Sequence, residues 1–116
     1  IGNAFKIAEF VKRNGISIIV EDECSSACVI IAISSEKLYT SQYSKFGFHN
    51  ASSIAKPNSE IGKFSSNKGS SELFSFLLSN GIPNDIINIA KKTSANEIYY
   101  VSGSEFINRG LAGELR

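Results

Sequence analysis

The sequence predicts a single α/β domain in which helices pack on a small, largely parallel sheet. The chain has 116 residues, a length that fits one domain, here residues 1–116. An amphipathic helical pattern is followed at once by a short apolar strand pattern, Ile16 to Val20, which is the order of an α/β unit. Because apolar residues fall on both faces of that strand, we expect both faces to be covered, as in a parallel sheet.

The first elements follow from periodicity and from the residues that end them. Residues 3–14 form a predicted helix whose apolar positions recur at i, i+3, i+4 and i+7: Ala4, Ile7, Ala8 and Val11. Gly15 is a typical helix stop. After the strand at 16–20 and a polar turn at 21–23, Cys24 to Cys28 is predicted to be a tight turn that leads into a buried helix ending near Ile33. Periodicity alone also allows a strand there.

The second half alternates short strands and helices around one polar stretch. Residues 50–70 are rich in Ser, Asn, Lys and Gly, which favours a long exposed loop, lid or interaction arm. Ser102 and Glu105 have the spacing of a capping box that opens a last short helix, which stops at Gly110. The other predicted elements are strands at 36–40, 45–48 and 98–101 and helices at 71–80 and 83–92.

Composition excludes several functional classes. Twelve Lys and Arg against eleven Asp and Glu give no basic excess for binding nucleic acid. The longest apolar run, Ala27 to Ile33, is far shorter than the roughly 20 residues of a membrane span. The chain begins at Ile1 and contains no Met, so we expect that an upstream segment was removed or is not included.

Cys24 and Cys28 lie four positions apart, and two interpretations remain open. Both can be small buried residues that pack the turn. They can also form a disulfide, since this spacing brings Cα atoms within bridging range and an oxidising compartment would permit the bond. A zinc site would need a second Cys or His pair, which the chain lacks, and we expect no metal and no cofactor.

Ser26 and His49 are candidates for nucleophilic catalysis. Ser26 stands at the start of the predicted apolar helix, where backbone amides could stabilise an oxyanion, although such a serine can be a plain N-cap. His49 ends a predicted strand and is the only imidazole in the chain, so it is either the base for a serine or a structural residue. Lys37 and Lys45 could replace it as base, but lysines on surface strands are normally solvated.

Three motifs occur in order along the chain: the turn Cys24-x-Ser26-Ala27-Cys28, the strand end Lys45-Phe-Gly-Phe-His49, and the closing stretch Tyr100-Val101-Ser102-x-Ser104-Glu105-x-x-x-x-Gly110-Leu111. In this order they resemble the proteolytic subunit of the Clp protease, in the ClpP/crotonase superfamily. The resemblance is closest to the predicted periplasmic ClpP-like proteins of bacteria. Together the three motifs cover nearly the whole chain.

The resemblance implies roles for individual residues. Ser26 would be the nucleophile, His49 the general base, and the Ala27 amide one oxyanion donor. Ser25 is the competing nucleophile, one residue earlier in an alternative alignment. The family's acid position is held here by Ile98, and the nearest carboxylate, Glu97, is the candidate acid. The family's Gly-Gly oxyanion loop would lie upstream of Ile1.

The resemblance also implies a function. We expect a serine peptidase-like hydrolase of the ClpP type that acts on peptides or unfolded polypeptide, assembles as a homo-oligomer and is periplasmic or secreted, with the cytoplasm as the alternative location. The competing hypothesis is a catalytically inactive ClpP-like scaffold or self-associating binding module whose contacts are made by the loop at 50–70. The missing acid favours the scaffold, whereas the Ser26 and His49 pair favours the enzyme.

Overall fold

The computed structural model describes residues 2–50 and 71–115, so the predicted loop at 50–70 lies, apart from its first residue, outside the described residues. Helices and strands alternate along the chain, and the mixed α/β class predicted from the sequence is confirmed. In order, the elements are α1 (Gly2–Arg13), β1 (Ile18–Val20), β2 (Glu23–Ser25), α2 (Ala27–Ile33), β3 (Leu38–Thr40), β4 (Lys45–Phe48), α3 (71–79), α4 (Asn84–Lys92), β5 (Tyr99–Ser102), α5 (Gly103–Asn108) and β6 (Gly113–Glu114).

The helix α1 packs against α2 through small side chains. Ala4 and Ala8 are buried, and Val11 continues the same face. The prediction that Ile7 belongs to this face is wrong, because its side chain is 48% exposed. The two buried alanines are compatible with a close approach of α2 to α1. The helix ends as predicted at Gly15, which has φ of 60°.

The predicted single sheet is divided into two three-stranded sheets. One has the order β1-β3-β6 and is parallel throughout, whereas the other has the order β2-β4-β5 and combines a parallel pair with an antiparallel one. The sheets are therefore small and only partly parallel. Ile19 in β1 is 56% exposed, so this short strand is covered on one face only, against the expectation from its composition.

The corner between the two sheets explains the division. The carbonyl of Val20, at the end of β1, accepts hydrogen bonds from the buried hydroxyls of Thr40 at 2.9 Å and Ser44 at 3.1 Å. Two residues later, the carbonyl of Asp22 accepts from the amide of Lys45 at 2.8 Å. The chain thus moves from pairing with β3 to pairing with β4 across the segment 21–22. Strand β2 was not predicted, because only Cys24 in it is apolar.

The core beneath the second sheet contains a stacked pair of phenylalanines. The rings of Phe46 in β4 and Phe106 in α5 are parallel, with centroids 3.9 Å apart, and both side chains are fully buried. Helix α5 begins directly against the backbone of the β3–β4 loop, since a Cβ atom on Gly103 would lie 1.9 Å from the Ser41 carbonyl oxygen. Ser102 caps α5 as predicted, accepting a hydrogen bond from the Glu105 amide at 3.1 Å.

The remaining predicted elements are confirmed, with shifts at their ends. The predicted turn at 24–28 is shorter than expected, and the ambiguity at 29–33 is resolved as helix α2. The strand β6 was not predicted. In the ranges that the structure describes, no helix combines the length and the apolar character needed to cross a membrane.

Candidate active site

The turn between β2 and α2 has an unusual backbone conformation. Strand β2 ends at Ser25, α2 begins at Ala27, and Ser26 alone makes the turn with φ of 58° and ψ of −117°. Within the described residues, Ser26 is the one non-glycine residue with positive φ. An L residue with a Cβ atom adopts such a conformation at a cost of order 1–3 kcal/mol. This sharp strand-to-helix turn is the geometry in which a nucleophilic serine is presented to solvent.

A disulfide closes the turn. Cys24 and Cys28 are bonded to each other, with Cα atoms 5.2 Å apart, so of the two interpretations left open the disulfide is the one the structure has. Cys24 is buried in the core and Cys28 is exposed at the surface of α2. The bridge therefore ties the surface end of the turn to its buried end, with Ser26 midway between them.

The two candidate serines differ in their surroundings. Ser25 lies within β2 and is partly buried, and its hydroxyl donates a hydrogen bond to a carboxylate oxygen of Glu23 at 3.1 Å. Ser26 is exposed, and its side chain makes no capping hydrogen bond at the start of α2. Ser26 is thus the N-cap residue of α2 by position, but its hydroxyl does not cap the helix. The amide of Ala27, the first residue of α2, has no acceptor within its own helix.

Ser26 and His49 follow the carboxyl ends of two neighbouring parallel strands of the second sheet, β2 and β4. Strands β2 and β4 are parallel, with Ser25 opposite Gly47, and the Ser26 amide donates to the Gly47 carbonyl at 3.0 Å. His49 follows β4 directly and is half-buried. Within the described residues, no hydrogen bond joins the Ser26 hydroxyl to the His49 ring, whose Nδ1 contacts the Asn50 carbonyl.

The His49 ring is oriented by a backbone carbonyl. Its Nδ1 lies 2.6 Å from the carbonyl oxygen of Asn50. A carbonyl oxygen can only accept a hydrogen bond, so Nδ1 carries the proton and, in the neutral ring, Nε2 holds the lone pair. Asn50 was not predicted from the sequence, because every residue type has a backbone carbonyl and none indicates that this carbonyl contacts His49.

Glu97 lies in the turn before β5, where one of its carboxylate oxygens accepts from the Ser94 hydroxyl at 3.3 Å. The antiparallel register of β4 and β5 pairs Phe48 with Tyr99, which places His49 next to Ile98 rather than Glu97. The Ile98 side chain packs over Gly47, where an added Cβ would lie 2.8 Å from its Cγ2 atom. The structure thus does not bring Glu97 to His49.

The outer face of the second sheet carries a separate polar cluster. Lys45 lies over the ring of Tyr100, with Nζ 5.5 Å from the centroid. Partial burial, followed by the charge of the neighbouring Glu23, raises the pKa of Tyr100. Lys37 lines an open cleft of about 360 Å³ between β3 and the segment 110–113, at the other sheet. Neither lysine replaces His49 in the arrangement around Ser26.

The described residues contain no cluster of side chains that could bind a metal ion. No group of three or more His, Cys, Asp and Glu side chains in residues 2–50 and 71–115 is placed to hold an ion.

The junction between β2 and α2 contains three groups of chemical interest: a hydroxyl on a strained turn, an imidazole on the neighbouring strand end and a free backbone amide. Those are the parts needed for attack on a carbonyl group.

Comparison with known proteins establishes the fold. No protein-family model and no curated protein matches the sequence. Among solved structures, a ClpP1 mutant from Listeria monocytogenes superposes with a TM-score of 0.77 over 100% of this chain, at 14% identity. A crystal structure described only as that of an enzyme gives a TM-score of 0.74 over 99% of the chain, at 16% identity.

The chain spans about two thirds of those two structures, 66% of the first and 65% of the second. At such low identity the likeness concerns the backbone and not the chemistry of the site. The arrangement of helices and strands described above is thus a ClpP-like fold.

Proposed function

We propose that this chain is a serine peptidase-like hydrolase of the ClpP type. Its nucleophile is Ser26, its general base is His49, and the Ala27 amide contributes to the oxyanion hole. The observation that carries the proposal is the backbone of Ser26, whose φ of 58° and ψ of −117° place an exposed hydroxyl at a strand-to-helix turn beside the end of a parallel strand. The ClpP-like fold supports it.

The chemistry follows the usual order of acyl transfer. The Ser26 oxygen attacks a peptide carbonyl while Nε2 of His49 takes the hydroxyl proton. The negative charge that develops on the carbonyl oxygen is stabilised by the Ala27 N–H. His49 then gives the proton to the leaving amine, and a water molecule activated in the same way hydrolyses the acyl-enzyme.

The choice of Ser26 over Ser25 rests on their different surroundings. The Ser25 hydroxyl is bonded to Glu23 inside β2, whereas the Ser26 hydroxyl has no capping partner and is exposed. The role of acid is not assigned to Glu97, which bonds to Ser94.

Labelling with a fluorophosphonate probe tests the proposal. The folded protein is incubated with the probe, and the adduct is located by peptide mass spectrometry in the wild type and in Ser26→Ala, Ser25→Ala and His49→Ala. We expect labelling to be lost in Ser26→Ala, strongly slowed in His49→Ala and retained in Ser25→Ala, which is the matched control. Absence of adduct in folded wild-type protein would remove the peptidase assignment.

The wider setting belongs to the same proposal. The substrate is peptide or unfolded polypeptide, and the active form is a homo-oligomer, both by analogy with the fold. The proposed location is periplasmic or secreted, because disulfides such as Cys24–Cys28 form and persist in oxidising compartments.

One observation favours a second candidate, the catalytically inactive, self-associating module. Helix α1 exposes Phe10 and Ile7 on one side, with 61% and 48% of their surfaces accessible. Sedimentation of Phe10→Asp against the wild type tests it, with Tyr43→Ser, an exposed aromatic in the β3–β4 loop, as control. If the protein is unlabelled by the probe and associates through Phe10, this second function replaces the first.

A further inference from the structure

The residue after His49 is held at the end of helix α4. The Asn50 amide donates to the carbonyl of Thr93 at 2.9 Å, and the Asn50 side-chain nitrogen donates to the carbonyl of Lys91 at 3.2 Å. Thr93 is the C-cap of α4, so both acceptors belong to the last turn of that helix. The final carbonyls of a helix have no partner within it, and Asn50 supplies two of the missing donors.

The fixed residue in turn orients the imidazole. The Asn50 carbonyl oxygen lies 2.6 Å from Nδ1 of His49, close enough for a strong hydrogen bond. Since Asn50 is tied to α4 through both its backbone amide and its side chain, the Cα atom that carries the carbonyl is held at the end of that helix. A histidine that donates from Nδ1 to a fixed acceptor is held in one tautomer, with Nε2 unprotonated.

Among residues 2–50 and 71–115, the carboxylates near the strand ends have other partners. Glu97 accepts from Ser94, Glu23 accepts from Ser25, and the β4–β5 ladder ends with Phe48 opposite Tyr99. Within this part of the chain, the Asn50 carbonyl is the partner of Nδ1, the ring nitrogen that faces the acid in a serine hydrolase.

We propose that Asn50 is the positioning residue of His49, acting through its backbone carbonyl and anchored by α4. The catalytic consequence rests on the proposed hydrolase function, whereas the tautomer does not. A neutral carbonyl orients the ring as a carboxylate does but brings no charge to balance the imidazolium that forms during attack. With this carbonyl as the partner of Nδ1, we expect Ser26 to be activated less strongly than in a complete Ser-His-Asp triad.

The single histidine makes the tautomer directly measurable. In protein labelled with nitrogen-15, the two ring nitrogens of His49 are the only imidazole signals. At about pH 9, where an imidazole is neutral, we expect Nδ1 to carry the proton and Nε2 to be free in the wild type. Protonation on Nε2 in folded wild-type protein overturns the proposal, whatever any variant does.

A pair of variants then tests the anchor. Asn50→Ala removes the bond to Lys91, and we expect a mixture of tautomers and about tenfold slower labelling of Ser26 by the fluorophosphonate. Asn80→Ala is the matched control, because the Asn80 side chain makes the same kind of bond, 2.9 Å to the carbonyl of Phe76, at the end of α3. It should change neither the tautomer nor the rate.

The outcomes separate the two proposals. Labelled wild type with an Nε2-protonated ring removes the role of Asn50 and leaves an activated serine whose base is not Nε2 of His49. An Asn50→Ala variant with unchanged tautomer and rate removes the side-chain anchor to α4, since alanine keeps the backbone carbonyl. Unlabelled wild type with an Nδ1-protonated ring removes the hydrolase and leaves Asn50 as the residue that orients His49.

Discussion

The amide of Ser26 donates a hydrogen bond to the carbonyl of Gly47 at 3.0 Å, the last bond of the β2–β4 ladder before the chain turns into α2. This bond fixes the turn to the strand that carries His49, so the position of the serine depends on how closely β2 and β4 approach. Gly47 permits that approach, because an added Cβ would lie 2.4 Å from the Ser25 hydroxyl oxygen and 2.8 Å from Cγ2 of Ile98.

Replacing Gly47 by alanine is therefore expected to destabilise the protein. The new methyl group must displace Ser25 and Ile98, and we expect a loss of about 1–3 kcal/mol in the free energy of unfolding. Urea denaturation measures it. In the double variant Gly47→Ala, Ser25→Gly, the nearest contact is removed, and part of the loss should return; strictly additive effects of the two substitutions would contradict the contact.

The Cys24–Cys28 disulfide should stabilise the chain by closing a short loop. For a loop of this length the chain-entropy relation gives about 2 kcal/mol. We expect Cys28→Ala to unfold at correspondingly lower urea, and the reduced wild type to match it. Cys28 is exposed, so little packing is lost with its side chain. Reductant should leave Cys28→Ala unchanged; an equal response of both proteins to reductant is incompatible with this bond.

The N-cap of α5 should stabilise the folded protein independently of the disulfide. Ser102→Ala removes the hydroxyl that accepts from the Glu105 amide, and we expect a loss of about 1 kcal/mol in thermal or urea unfolding. Ser104→Ala, two residues further along the same helix, is the control and should change stability by less than about 0.5 kcal/mol. Equal effects of the two substitutions would mean that the cap does not stabilise α5.

The ion pair between α4 and the end of α5 predicts a dependence on pH. Two hydrogen bonds from Arg109 to Asp85, at 2.9 and 2.6 Å, hold the pKa of the Asp85 carboxyl below its usual range. The pair therefore contributes stability above the unfolded pKa of about 4 and loses it as pH falls through the lower folded value. The destabilisation caused by Asp85→Asn should be largest near neutral pH and vanish in strong acid.

A second substitution isolates the pair from the general effect of a negative charge at the start of α4. In an Arg109→Gln background, Asp85→Asn should have a smaller effect at neutral pH than in the wild type. The same effect in both backgrounds would assign the pH dependence to the helix terminus instead.

Local patterns predicted most elements of the fold. The helix stop at Gly15 and the cap at Ser102 depend on interactions within a few residues, and both are confirmed. The strand β2 was missed because its residues are mostly polar and its pairing with β4 joins segments about 22 positions apart. Such long-range pairing leaves no periodic signal in three residues.

The amino-acid sequence by itself determined the mixed α/β class, the resemblance to ClpP that the superposition supports at the level of fold, and the choice of Ser26 and His49 as candidates, since motif order and residue type carry that information. Only the tertiary structure decided the division into two sheets, the turn conformation of Ser26, and the use of the Asn50 carbonyl at His49. Each of these depends on backbone groups, which every residue possesses, meeting across distant segments. The identity of a residue specifies its side chain, whereas the hydrogen-bond partner of its backbone carbonyl depends on the tertiary structure.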